Sequence, residues 1–270
     1  MPVRLLLVLA AALAGAALAA EEVPFITTPD NVTLAMLRMA RVGPDDYVID
    51  LGSGDGRIVI AAAKQFGARG LGVEIVPDLV KKSRENARLA GVAARAEFRE
   101  QDLFKTDLAR ATVVTLYLLP DVNLQLRPAL LGLKPGTRVV SHDWDMAEWA
   151  PDRTQTIAVP DKQIGFEKSS RVHLWIVPAR LHGAWCGTGK ARGTTLQVEQ
   201  KFQQFGGKVT RGTSTQIFDG RIDGAVAKSV DDNLTLDVKG ERLQARNARD
   251  AFASLRGAAF TRRTADSCPK

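Results

Sequence analysis

The sequence predicts an α/β protein: a doubly wound, largely parallel sheet followed by a small antiparallel β domain. Three observations carry this. Short apolar strands alternate with amphipathic helices from about residue 30 to 177. A glycine-rich loop, Asp50-Leu51-Gly52-Ser53-Gly54-Asp55-Gly56, follows the first of those strands. After Pro178 the helices stop, and short alternating runs separated by Gly and Asp turns take over.

The first part reads in order. Residues 29–41 open with a Pro-Asp helix start and place Val32, Met36 and Met39 on one stripe. A Gly43–Asp46 turn leads into a strand over Tyr47–Leu51. A helix over Arg57–Phe66 ends at Gly67, and Gly70–Glu74 is a second strand. Pro77–Ala90 is a helix with proline in its first turn and Gly91 past its end. Strands follow at 94–99, 112–118 and 136–141, with a helix at 122–131 between the last two. Two further strands, at 153–159 and 170–177, have no helix between them and fit an antiparallel hairpin. Seven strands result.

In the last third the runs Thr195–Phe202, Gly207–Arg211, Thr215–Phe218, Gly220–Ile222, Ala225–Ser229, Asn233–Val238 and Glu241–Ala245 suggest a small sandwich or barrel. We expect three parts: residues 1–20, 24–178 and 183–270.

The chain has 270 residues, 45% hydrophobic and 25% charged, which excludes a disordered or fully membrane-embedded protein. Its net charge of +7 is uneven, because residues 181–270 hold 15 Lys/Arg against 9 Asp/Glu. That excess suits a membrane surface. No basic run interleaved with aromatics accompanies it, so nucleic acid is an unlikely partner. Arg4, the uncharged Leu5–Ala20 run and the Ala17-Leu18-Ala19 pattern form a secretory signal peptide. The expected location is therefore outside the cytosol, in a periplasm, with an uncleaved membrane anchor as the alternative. The only two cysteines, Cys186 and Cys268, lie near the ends of the last third and suit one disulfide in an exported protein.

The glycine loop carries the chemistry. A ligand binds at the carboxyl end of the first strand of such a sheet, and glycine lets it approach the backbone. The spacing is Gly-x-Gly-x-Gly, not the Gly-x-Gly-x-x-Gly of dinucleotide sites. Asp50 and Asp55 would repel a pyrophosphate but attract a sulfonium and an ammonium. The loop thus favours S-adenosylmethionine, with Gly52, Gly54 and Gly56 lining it. Glu74 ends the second strand about 20 residues on, where an acidic side chain accepts from ribose hydroxyls. With three histidines in the chain and no cysteine near the loop, no metal-ligand spacing emerges.

Several segments together resemble one family. They are Pro24-Phe25-Ile26-Thr27-Thr28-Pro29, Asp50–Ile60, Gly72-Val73-Glu74, Tyr117-Leu118-Leu119-Pro120, Leu126-Arg127-Pro128 and Val139-Val140-Ser141-His142-Asp143. The pattern is similar to the ATP synthase c-subunit lysine methyltransferases and their prokaryotic relatives, over residues 24–177. The resemblance implies a class I, Rossmann-like fold whose last strand is antiparallel, and methyl transfer from S-adenosylmethionine to a protein lysine. It places Thr27 and Pro29 over the cofactor. By analogy with class I methyltransferases in general, Asp102 accepts from the adenine amino group and Tyr117 lies where the acceptor is faced, while Asp143 or Asp145, on the same edge, is the expected holder of a cationic amine. The cleavable N-terminus and the cysteine-bearing β domain depart from the family. Two alternatives are an envelope methyltransferase for a small molecule or lipid, and a non-enzymatic exported module with a relict cofactor site.

Overall fold

The computed structural model describes residues 26–162, 167–263 and 268. The expected signal peptide lies outside the described residues. Among them, no helix is long and apolar enough to cross a membrane.

Helix α1 (Asp30–Met39) leads into strand β1 (Tyr47–Leu51). Then come α2 (Arg57–Phe66), β2 (Arg69–Glu74), α3 (Pro77–Leu89) and β3 (Ala96–Glu100). The series continues with β4 (Val113–Leu116), α4 (Pro120–Leu131), β5 (Arg138–His142), β6 (Arg153–Ala158) and β7 (Ser169–Ile176). The sheet order is β3-β2-β1-β4-β5-β7-β6. The first five strands run parallel, while β7 runs antiparallel to both β5 and β6.

Alternation along the strands splits the core into two faces, as the period of two requires. Val48, Val113, Val140 and Val172 pack under α1 and α2 with Val32, Met36 and Leu37. Ile49, Val114, Leu116, Val139 and Trp175 face the other way, onto Leu126 and Leu130 of α4. The chain winds outward from β1 in one direction and from β4 in the other. The carboxyl ends of those two strands are the topological switch point, where ligands bind in open α/β sheets.

The last third closes into an eight-stranded antiparallel barrel. Its strands are β8 (Gly183–Thr188), β9 (Thr194–Lys201), β10 (Gln204–Arg211), β11 (Ser214–Asp223), β12 (Val226–Ser229), β13 (Leu234–Lys239), β14 (Arg242–Ala248) and β15 (Ala259–Arg263). Closure through β15–β8 and β8–β9 removes the sheet edges. The interior is filled by apolar side chains, including Trp185, Leu196, Phe205, Phe218, Ile222, Leu236 and Phe260.

Two differences from the sequence expectation concern the barrel. The runs Thr215–Phe218 and Gly220–Ile222 are one strand, β11, and both β8 and β15 add to the runs expected. Cys186 and Cys268 are bridged across 82 residues. Closing so long a loop restricts the unfolded chain, so reduction is expected to lower barrel stability by roughly 4–5 kcal/mol. Thermal melts of wild type and Cys186→Ser, with and without reductant, check this. A Cys186→Ser melt that overlays oxidised wild type would refute it.

Candidate functional site

Five of the eight exposed large apolar side chains among the described residues sit at one place. Ile75 follows β2, Phe104 follows β3, Leu119 follows β4, Trp144 follows β5, and Ile26 precedes α1. All five rim the carboxyl edge of the sheet. Isolated exposed apolar residues are normal, but a ring of them marks a binding surface.

The glycine loop sits inside that ring. Gly52, Gly54 and Gly56 all have positive φ, with Gly56 at 82°, just ahead of α2. A Cβ on Gly56 would stand 2.6 Å from the Phe98 ring, so only glycine allows this turn against β3. Gly52 and Ser53 both donate to the Val73 carbonyl at 2.9 Å, which ties the loop to β2.

Glu74 lies at the loop's side, as expected. Its Oε2 accepts from the Gly54 N–H at 2.9 Å, and its Oε1 accepts from the Ile75 and Val76 N–H groups at 2.8 and 3.1 Å. The carboxylate is thereby held at the strand end, beside the exposed Ile75. Asp102 stands at the end of β3, where its Oδ1 accepts from the Phe104 N–H at 2.9 Å and caps a 3-10 turn.

Asp50 is fully buried on β1, with Oδ1 accepting from the Thr115 hydroxyl at 2.6 Å. Burial pushes its pKa up to about 7, and the nearby charges of Glu74 and Asp55 push the same way. Asp50 is thus a buried carboxyl that titrates near neutrality on the pocket floor.

The Asp55 carboxylate is taken up by Arg57, with Arg57 Nε 3.0 Å from Oδ1 and Nη2 2.7 Å from Oδ2. The Arg57 guanidinium outweighs burial and holds the Asp55 carboxyl below the usual range. Asp55 therefore anchors an arginine beside the glycine loop. The same Arg57 donates through Nη1 to the Thr28 carbonyl at 2.9 Å, so the segment before α1 is strapped across the glycine loop. Thr27 lies exposed on that strap.

At the β4 and β5 ends a second cluster forms. Tyr117 is half-buried and stacks on His142, with ring centroids 3.9 Å apart. His142 is fully buried; its Nδ1 faces Thr28 Oγ1 at 3.2 Å and its Nε2 faces Ser170 Oγ at 2.9 Å. Burial lowers its pKa to about 4, so the ring is neutral at physiological pH. Burial and the Asp143 charge raise the Tyr117 phenol, which keeps its proton.

Asp143 stands at the end of β5, and its carboxylate is already engaged. Oδ2 accepts from Lys162 Nζ at 2.8 Å, and Oδ1 accepts from the Arg171 N–H at 2.8 Å. Lys162 comes from the loop after β6, and its ammonium also donates to the Ser169 carbonyl at 2.7 Å. Sequence reasoning missed Lys162, which lies 19 residues along the chain from its partner. It missed Thr115 and Arg57 as well, although a lone threonine in Val113-Val114-Thr115-Leu116 was a usable signal. Among the described residues, no group of three His, Cys, Asp or Glu side chains is placed to hold a metal ion.

These residues suit an adenosyl ligand that carries positive charge. Asp50 supplies a buried carboxyl whose ionised form a cationic ligand would favour, Glu74 and Asp102 offer acceptor oxygens at the strand ends, and Ile75 and Phe104 offer apolar plates for a flat base. Arg57, the cation on the loop itself, is neutralised by Asp55, so nothing there suits a phosphate. Fold and site together define a class I methyltransferase that uses S-adenosylmethionine, whose sulfonium supplies an electrophilic methyl group.

The comparisons with known proteins agree. The model of the ANTKMT methyltransferase domain matches residues 50–153. A protein-lysine N-methyltransferase of Saccharolobus islandicus is 41% identical over 158 residues, covering 58% of this chain and 94% of that protein. The ATP synthase c-subunit lysine N-methyltransferase of Mus musculus is 40% identical over 134 residues, covering 48% of this chain and 53% of that protein. The chain therefore spans about half the length of that mouse relative. A solved RNA methyltransferase from Salinibacter ruber, bound to S-adenosyl-L-homocysteine, is 54% identical with a TM-score of 0.52. It aligns with 58% of this chain and 96% of its own. The chain belongs to the family of that Saccharolobus protein-lysine N-methyltransferase.

Proposed function

We propose that the protein methylates the ε-amine of a lysine in another protein. The observation that carries this is the Asp143–Lys162 pair. At the acceptor edge, beside Tyr117, a carboxylate already holds a primary alkylammonium at 2.8 Å. An incoming lysine would meet the same chemistry. A free lysine has a pKa near 10.4 and must lose its proton, to solvent, before attack; the Asp143 carboxylate opposes that loss, while burial and the sulfonium cation favour it. Neutral His142 and protonated Tyr117 form an uncharged wall on which the amine can rest. The names of the archaeal and mouse relatives support the same acceptor.

Leu119 and Trp144 flank this edge with Asp121 and Asp145, which suits a basic, apolar segment of polypeptide and repels a phosphate chain. An RNA acceptor, which the name of the Salinibacter protein gives for that enzyme, is the competing outcome. The test supplies methyl-labelled S-adenosylmethionine with poly-L-lysine, RNA and lipid vesicles in parallel. Label recovered as methyl-lysine supports the proposal; label confined to RNA or lipid overturns it. If Lys162 competes for Asp143, Lys162→Met lowers the poly-L-lysine KM by about threefold or more.

The proposed site of action is outside the cytosol, a periplasm. The Ala17-Leu18-Ala19 pattern and the Cys186–Cys268 bridge support it, since disulfides persist in oxidising compartments. The basic last third supports association with an anionic membrane surface. Mass spectrometry of the envelope fraction should find a mature N-terminus near Glu21, and an intact Met1 would refute cleavage.

A further inference from the structure

The segment that leaves β5 carries the acceptor edge, yet its own backbone is poorly suited to stand alone. Asp143 and Ala147 both adopt left-handed φ, at 62° and 51°. Such non-glycine residues persist only where the surroundings hold them. One side is held by α4: Arg127 Nη1 donates to the Met146 carbonyl at 3.0 Å, and the Asn123 amide lies 3.4 Å from the Trp144 and Asp145 carbonyls.

The other side is held by the barrel. The turn between β9 and β10, Phe202-Gln203, is inserted against this segment. Gln203 is 3% exposed. Its Oε1 accepts from Trp149 Nε1 at 3.0 Å, and its Nε2 donates to Asp152 Oδ2 at 2.9 Å and the Ala150 carbonyl at 3.3 Å. Phe202 stacks on Trp149 with centroids 6.2 Å apart. Gln200 fixes the turn from behind, donating to the Phe202 and Ala179 carbonyls at 2.8 and 3.0 Å. Arg221 on β11 pairs with Asp152, and Lys201 reaches Glu148 at 3.5 Å. Trp149, completely buried, also receives the Trp175 indole N–H on its carbonyl at 2.6 Å.

We propose that the C-terminal barrel is a positioning part of the methyltransferase site, with Gln203 as the residue that locks residues 144–152 beside Asp143. The barrel stands far along the chain from the glycine loop, and its hydrogen bonds fall on the acceptor segment rather than on the cofactor floor. This rests on the β5 end being the acceptor edge. Every polar group of the Gln203 side chain is paired, so truncation leaves the buried Trp149 N–H without an acceptor. The segment should then open locally while the sheet remains folded.

The test uses the full chain with Gln203→Leu, Trp149→Phe and the double variant. Hydrogen exchange should quicken by about tenfold in residues 144–152 of Gln203→Leu and stay unchanged in residues 50–60. Trp149→Phe keeps a ring against Phe202 and should show a smaller acceleration in the same segment; it serves as the test if Gln203→Leu does not fold. The double variant should add little to Gln203→Leu, because both remove one contact. With poly-L-lysine as acceptor, KM should rise about fivefold while the Kd for S-adenosylmethionine stays within about twofold. A general loss of stability would move both. Unchanged exchange in residues 144–152 of the folded variants overturns the proposal. If wild type fails to methylate poly-L-lysine, the lysine acceptor falls, while the exchange measurement still decides the role of Gln203.

Discussion

Glu74→Ala is expected to weaken S-adenosylmethionine binding by about 100-fold or more. Hydrogen bonds to a charged group contribute about 1.5–3 kcal/mol each, and a ribose presents two hydroxyls. The side chain also organises the loop, since it accepts from three backbone N–H groups, of Gly54, Ile75 and Val76. Its removal therefore takes away both the ligand contacts and the order of the surface that makes them. Glu74→Gln separates the two effects. The amide oxygen can still accept from the Gly54 N–H, but it carries no charge toward the ribose. Only one of its two terminal groups can accept, so either the Gly54 N–H or the Ile75 and Val76 N–H groups lose their partner, and we expect Glu74→Gln to bind at an intermediate strength and to melt between Glu74→Ala and wild type. Calorimetric titration settles the matter: an alanine variant that binds within about threefold of wild type would move the ribose away from β2.

The sheet was legible because its period is local. Val48 faces one side of β1 while Ile49 and Leu51 face the other, and α2 brings its own stop in Gly67. Glu74 was legible for the same reason, as a single acidic residue at a fixed interval from a glycine loop. The barrel was less so. Strand β8 reads Gly-Ala-Trp-Cys-Gly-Thr, which lacks β-branched residues until its end, and it is a strand because β15 and β9 flank it. Asp219-Gly220 reads as a turn, yet the backbone runs straight through. There a Cβ would stand 1.9 Å from the Lys228 carbonyl oxygen, so the glycine answers a close neighbour rather than a bend. The engaged state of Asp55 and Asp143 was hidden for a similar reason. Sequence shows the sign of a charge, while its partner depends on how the chain returns. Arg57 meets Asp55 through the turn into α2, and Lys162 meets Asp143 through the antiparallel return of β6 and β7.

Asp50 should couple pH, stability and ligand binding in one residue. Its pKa of about 7 in the folded chain lies well above the ordinary carboxyl value of 3.8. Between those values the folded protein holds the proton more tightly than the unfolded chain does. Stability from this group is therefore complete in acid and is lost as pH rises toward 7, and ionisation opposes folding beyond it. Asp50→Asn keeps an oxygen for the Thr115 hydroxyl and carries no charge. At pH 8 it is expected to melt about 5 °C or more above wild type, with little difference at pH 4. Binding should move the other way. A cationic ligand favours the ionised carboxylate, so wild type should bind S-adenosylmethionine up to about tenfold more weakly at pH 6 than at pH 8. Asp50→Asn should bind weakly at both, with a flat profile. Parallel pH profiles for the two proteins would show that the Asp50 charge does not face the cofactor.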